Sequence, residues 1–207
     1  MGRIKEISRT STGKRKRNPV VYIICEGSET EVKYFKRFRS RGCHIDIQPL
    51  PSQYKSADRL IQKARSTMGN NPYYPDEGDT IWCVFDRDDN TNTMLRTAQT
   101  QATKEGYKII FSNPSFELWY LFHFTDQNSA IEDSDSVIRL LKRNSGMEQY
   151  EKSNDVYDIL KPLQGDAMMR AKRRLSLLEA SGAELLCRES NPVTSVCELV
   201  EYLYQHK

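Results

Sequence analysis

The sequence predicts an α/β fold: a mostly parallel four-stranded sheet flanked by helices, with a helical C-terminal extension. Three observations carry that expectation. Val20 to Cys25 and Thr80 to Phe85 are continuous, β-branched and apolar runs, the pattern of strands covered on both faces. Each run is followed by helical spacing, and strand–helix alternation continues from residue 19 to about 125. Beyond about residue 130 no strong strand pattern appears, and helical spacing takes over.

Residues 1–18 read as a basic, flexible arm, polar and without period. Asn18-Pro19 leads into the first strand, Val20–Cys25, and Gly27 permits a tight turn after it. A helix from about Glu29 presents Val32, Phe35 and Phe38 inward, with Gly42 as its stop. His44 to Leu50 alternates and reads as a less buried strand. Ser56 to Met68 reads as a helix, with Ser56 as its cap. Gly69 to Gly78 is a loop, and Thr80–Phe85 is the third strand. Thr91 to Glu105 is a polar helix ended by Gly106, and Tyr107 to Phe111 is the fourth strand. Ser112-Asn113-Pro114 opens a helix carrying Phe116, Leu118, Trp119, Leu121 and Phe122, with Asn113 and Ser115 as capping candidates. Residues 19–125 thus form the α/β domain. Residues 126–207 form the extension, with helices at about 137–142, 156–160, 167–180 and 193–204, the last started by Asn191-Pro192.

The 207 residues suffice for one domain with a sizeable core. A mean hydropathy of −0.70 fits a soluble protein. No apolar stretch approaches the roughly 20 residues of a membrane helix, and residues 1–18 lack the apolar core of a signal peptide. A cytoplasmic protein is expected. The five cysteines match no zinc spacing and read as buried free thiols. The net charge of +3 is uneven. Residues 1–17 carry seven Lys or Arg against one Glu, for +6, leaving −3 on the remainder. Within that arm, Lys14, Arg15, Lys16 and Arg17 are candidates for contact with a polyanion such as nucleic acid; a solubilising tail is the other reading.

The chemistry concentrates at two strand ends. Glu26, Glu29 and Glu31 follow the first buried strand, and Asp86, Asp88 and Asp89 follow the third. Ligands of open α/β sheets bind outside the carboxyl ends of strands. Carboxylates gathered there repel one another unless a cation lies between them, and hard oxygen ligands suit Mg²⁺ (or Mn²⁺). Glu26, Asp86 and Asp88 are therefore the candidate metal ligands, with Glu26 alternatively a general base. Glu29 and Glu31 fall in a first helical turn, where a capping role is expected. Glu117 lies one turn into an apolar helix and leaves two roles open: orienting water beside the ion, or pairing with Arg87. Arg87 points to the far face of its strand or holds a substrate phosphate bidentately. His123 reads as a satisfied, partly buried imidazole. Arg170, Lys172, Arg173 and Arg174 read as a solvated helix face, with a nucleic-acid contact as the alternative. Phe116, Trp119, Tyr120 and Phe122 read as core packing rather than a base-stacking platform.

Several strings resemble the RloB-like family, within the wider Toprim group. They are Val21-Tyr22-Ile23-Ile24-Cys25-Glu26-Gly27-Ser28-Glu29-Thr30-Glu31-Val32-Lys33-Tyr34-Phe35, then Val84-Phe85-Asp86-Arg87-Asp88, then Ser112-Asn113-Pro114-Ser115-Phe116-Glu117-Leu118-Trp119-Tyr120-Leu121, and, more weakly, near the end Asn191-Pro192-Val193-Thr194-Ser195. The Asn-Pro-Ser-Phe-Glu-Leu-Trp string is the most specific. The resemblance implies a Toprim-like (Rossmann-like) sheet in which Glu26 takes the glutamate role and Asp86 and Asp88 form the aspartate pair. It also implies a component of prokaryotic restriction-associated or antiphage loci, often beside an ATPase partner. Three functions follow as expectations: a Mg²⁺-dependent nuclease or phosphodiester-transfer enzyme; a non-catalytic nucleotide- or nucleic-acid-binding subunit of an ATPase complex; or a nucleic-acid-binding protein driven by the basic arm. An oligomer is compatible with all three.

Overall fold

The structure, a computed structural model, describes residues 17–206. Lys14, Arg15 and Lys16 lie outside the described residues. The elements run β1 (Val20–Cys25), α1 (Thr30–Lys36), β2 (Asp46–Pro51), α2 (Ala57–Asn70), β3 (Thr80–Asp86), α3 (Asn92–Glu105), β4 (Lys108–Asn113), α4 (Glu117–Phe122), α5 (Ser134–Leu141), α6 (Tyr157–Leu160), α7 (Gln164–Ala180), β5 (Val193–Thr194) and α8 (Val196–Gln205). Among the described residues no helix is long and apolar enough to cross a membrane.

The sheet order is β2-β1-β3-β4-β5. The two continuous apolar runs, β1 and β3, occupy central positions, as strands covered on both faces must. Alternating β2 lies at an edge, where Pro49 and Pro51 cost no ladder donor that a second neighbour would need. Strands β1 to β4 are parallel, so their carboxyl ends share one rim. From β1 the chain moves outward to β2, and from β3 it moves the other way to β4. The order therefore reverses between β1 and β3, the position where open α/β sheets form a ligand crevice. Right-handed crossovers in opposite directions also place α1 and α3 on opposite faces.

The expected four strands are five. Val193 and Thr194 pair antiparallel with Asn113 and Ser112, and the Ser112 and Thr194 hydroxyls hydrogen-bond at 2.9 Å. Asn191-Pro192 thus leads into an edge strand, and the helix begins only at Val196. A two-residue strand has no periodicity, which is why the pattern did not reveal it. The C-terminal helices pack into the same core as the sheet: Leu199, Val200 and Leu203 of α8 are fully buried, and Tyr202 lies 5.1 Å from the ring of Trp82. On the α1 side, Tyr34 contacts Phe116, Tyr120 and Tyr157, joining α1, α4 and α6. Phe116, Trp119, Tyr120 and Phe122 are all buried, so their crowding is core packing.

Three terminal signals act otherwise than expected. α1 ends at Lys36, well before Gly42. Ser56 occupies the N-cap of α2, but the first amide of that helix, Ala57 N–H, donates to Asn90 Oδ1 at 2.8 Å. Neither Asn113 nor Ser115 caps α4. Asn113 Nδ2 donates to the carbonyls of Cys187, Arg188 and Ser190, and Ser115 Oγ donates to Glu117. Gly106 ends α3 in the left-handed region at φ 72°, as expected.

Candidate functional site

At the rim between β1 and β3, backbone pairing continues past the strands. Glu26 N–H donates to Val84 O at 2.9 Å, and Arg87 N–H to Ser112 O at 2.8 Å. This register sets Glu26 beside Asp86. Asp86 N–H donates to Glu26 Oε2 at 2.9 Å, while Glu26 Oε1 and Asp86 Oδ1 are buried and without a hydrogen-bond partner. The chain then turns through Asp88, the one non-glycine residue with positive φ among the described residues, at 30°. Glu117, at the start of α4, is 2 % exposed; its Oε2 accepts from Ser115 Oγ at 2.8 Å and its Oε1 from the Tyr150 hydroxyl at 3.3 Å.

The sequence-predicted Glu26, Asp86, Asp88 and Glu117 line one pocket of about 280 Å³, together with Glu29, Glu31, Lys55 and Lys152. Glu117 has Lys152 Nζ at 3.9 Å. It does not meet Arg87, whose Nη2 reaches Glu132 O at 3.5 Å on another side; Arg87 does not line the pocket. Arg17 is held at the opposite, amino-terminal rim by Glu77 and Asp79, the latter also accepting from Val20 N–H at 2.7 Å.

Glu31 is the residue whose role sequence reasoning missed. Its place in a first helical turn predicts a capping acid, yet it is 5 % exposed, and its Oε1 accepts from Gly27 N–H at 3.3 Å. The available signal was its place on the apolar stripe, four residues before Phe35 and seven before Phe38. Glu29 instead pairs with Lys33 on the surface. Gly27 is needed because a Cβ there would stand 2.3 Å from Glu31 Oε2. We expect Gly27→Ala to cost about 1–2 kcal/mol in the native background and almost nothing in a Glu31→Ala background. A double-mutant cycle of thermal melts reads that coupling; additive losses would show that the glycine serves something other than the Glu31 carboxylate.

Burial raises the Glu26 carboxyl to about 8; the Asp86 N–H opposes that shift and the charges of Asp88 and Glu31 add to it. Asp86 is pushed well above the usual carboxylate range by burial, then by Glu31, Glu117, Glu26 and Asp88. Glu31 rises through burial and the Glu117 charge. Without a cation these groups cannot all ionise. Their donor chemistry fits a hard divalent ion: all are oxygen ligands, and two buried acceptor atoms stand open. Among the described residues no group of three or more His, Cys, Asp or Glu is already arranged to hold a metal ion. Mg²⁺ sites commonly use one or two carboxylates, with water and substrate phosphate completing the shell. The Glu26–Asp86 pair meets that smaller requirement.

Other candidates lie elsewhere. His123 is fully rather than partly buried, and it is only half satisfied: Nδ1 meets Trp119 O at 2.9 Å while Nε2 is without a hydrogen-bond partner; burial lowers its pKa to about 4, so it is neutral. Arg170 donates to the carbonyls of Phe122 and His123, Arg174 to Pro192 O, while Lys172 pairs with Glu201 and Arg173 with Asp126. That basic stretch of α7 is engaged within the protein. All five cysteines are free, four of them buried.

Fold and rim together define an α/β protein with a carboxylate-lined crevice at the switch point of its sheet. The chain belongs to the RloB-like protein family, which matches residues 21–203, from β1 into α8. No curated protein and no solved structure matches the chain.

Proposed function

We propose that this protein is a Mg²⁺- or Mn²⁺-dependent nuclease or phosphodiester-transfer enzyme acting on nucleic acid, with a Toprim-like site, in a cytoplasmic phage-defence system that includes an ATPase partner. The observation that carries the reading is the pair of buried, open acceptor atoms, Glu26 Oε1 and Asp86 Oδ1, in a pocket of mutually repelling carboxylates. Keeping such atoms unpartnered costs stability, which is the pattern of a site held ready for a cation.

When bound, the ion would neutralise phosphate charge and lower the pKa of water. Glu26 and Asp86 would hold it, with Asp88 completing the acidic turn. Where Glu26 is not itself a ligand of the ion, it is the alternative acceptor for the proton of the attacking water. Glu117, fixed by Ser115 and Tyr150, orients water at the pocket wall. Lys152 and Lys55, both lining the pocket, supply positive charge for the substrate phosphate.

The test uses the full chain, with and without its ATPase partner, on single- and double-stranded DNA and RNA. Cleavage that needs Mg²⁺ or Mn²⁺ and stops with chelator is the expected result. Absence of cleavage on every substrate, with nucleotide or nucleic-acid binding intact, would replace it with the regulatory-subunit reading.

A further inference from the structure

A second cleft, about 240 Å³, adjoins the acidic pocket and shares Lys55 with it. Tyr54, Arg59, Asp89 and Asn90 are among the residues that line it. The two hollows differ in charge. Around the acidic pocket the lining is six carboxylates against two lysines. The second cleft carries Lys55 and Arg59 against Asp89 alone. A polyanion whose reacting phosphate lies in the first hollow therefore meets acids around most of the rim. Its favourable exit runs over Lys55 toward Arg59.

The cations there are held in no ion pair, although the Lys55 charge is felt by Glu26. Most arginines described above are tied to carboxylates or carbonyls, whereas Lys55 and Arg59 are exposed and take part in no ion pair or side-chain hydrogen bond among the described residues. Tyr54 is 43 % exposed, and its hydroxyl is likewise unengaged among the described residues, so its ring is presented to solvent beside the two cations.

The cleft is also rigidly joined to the acidic turn. Asn90 is 1 % exposed; it accepts from Ala57 N–H, the first amide of α2, and donates to Asp86 O at 3.0 Å. On the other side, Ser52 N–H donates to Cys25 O at 2.7 Å, and Ser52 Oγ accepts from Tyr54 N–H at 3.1 Å. The segment bearing Tyr54 and Lys55 is thus pinned to the end of β1, and the helix bearing Arg59 to the end of β3. An exposed aromatic ring in a cleft that also carries cations is a combination on which a base can stack while its backbone phosphates are met.

We infer that Tyr54, Lys55 and Arg59 form a subsite for the nucleotide flanking the reacting phosphate of a single-stranded nucleic acid, Tyr54 stacking on the base and the two cations meeting the backbone. This rests on the nuclease reading for the position of the reacting phosphate.

The experiment measures binding of a fluorescein-labelled oligo(dT) 12-mer, and of a 12-base-pair duplex, to the full-length Asp86→Asn protein in EDTA across a salt series. Arg59→Ala should weaken single-strand binding about tenfold and reduce the salt slope by about one. Tyr54→Ala should weaken it about tenfold while Tyr54→Phe stays within about twofold, because stacking uses the ring rather than the hydroxyl. The duplex should bind more weakly and ignore Tyr54. Native-like single-strand binding by both alanine variants, or equal Tyr54 dependence on duplex, would overturn the subsite. In the otherwise native chain, oligonucleotide cleavage with unchanged KM in Tyr54→Ala and Arg59→Ala would sink this inference and leave the nuclease reading standing. Loss of binding in a protein that cleaves nothing would do the reverse.

Discussion

Asp86→Asn should raise the melting temperature of the metal-free protein and, in the same molecule, lower Mg²⁺-dependent cleavage by about three orders of magnitude or more. The two effects share a cause. Asp86 is the last residue of a central strand, its Oδ1 is buried without a partner, and four other carboxylates raise its pKa further once burial has done so. In the metal-free protein burial and these neighbouring charges disfavour its ionised form, so the carboxyl destabilises the fold as pH rises above its ordinary range. Asparagine has the same shape, cannot ionise and offers an amide donor to the neighbouring acids. For a chain of this length each kcal/mol relieved corresponds to about 2–4 °C. Cleavage should fall because asparagine supplies a neutral oxygen where an anionic ligand is needed. Three orders of magnitude equal about 4 kcal/mol of lost transition-state stabilisation. Thermal melts in EDTA and a cleavage assay on the same preparation check both. A destabilised Asp86→Asn protein, or one that cleaves at the native rate, would mean that the carboxylate is part of the scaffold.

Much of this was legible in the chain itself, for reasons that can be located. β1 and β3 announce themselves because a strand buried on both faces has no polar position to interrupt it, and their central place fixes Glu26 and Asp86 side by side at the rim. The edge strand β2 was also readable through alternation, to within about two residues. What stayed hidden depends on contacts between distant segments. The two residues of β5 are strand only because Ser112 and Asn113 are there to pair with. Glu31 looked like a capping acid because charge in a first helical turn has a local explanation, and only the packing of α1 shows that its carboxylate turns inward. Lys152 and Tyr150 come from a loop after α5 that carries no motif, and nothing near them in sequence hints at Glu117. The Asn113 side chain, part of the most specific string, serves the 187–190 segment rather than the helix it precedes.

Metal-free protein should lose stability as pH rises from about 6.5 to 8, and Mg²⁺ should abolish most of that loss. Glu26 and Asp86 have folded-state pKa values above their ordinary ones, through burial first and neighbouring charge second. The folded state therefore binds more protons than the unfolded chain across this range. Their contribution is fully present below the ordinary carboxylate pKa and is lost as pH rises through the folded values, Glu26's being about 8. His123 has the opposite sign. Its folded pKa is lowered to about 4, so it favours the folded state above its ordinary value near 6.5 and opposes it as pH falls toward 4. The two trends partly cancel below pH 6.5, which is why the window opens there. Above it Glu26 contributes up to about 1.4 kcal/mol per pH unit, a loss on the order of 1–2 kcal/mol by pH 8 or roughly 2–8 °C in melting temperature, and Asp86 acts in the same direction. A divalent ion selects the deprotonated pair and replaces the protons, so its stabilisation should grow with pH over the same range. Glu26→Gln should clearly flatten the slope in EDTA and remove much of the response to Mg²⁺. A flat metal-free profile between pH 6.5 and 8, or a Mg²⁺ effect equal at both ends, would mean that these carboxyls already find their counter-charge within the protein, in Lys55 and Lys152, and that the crevice has no call for an ion.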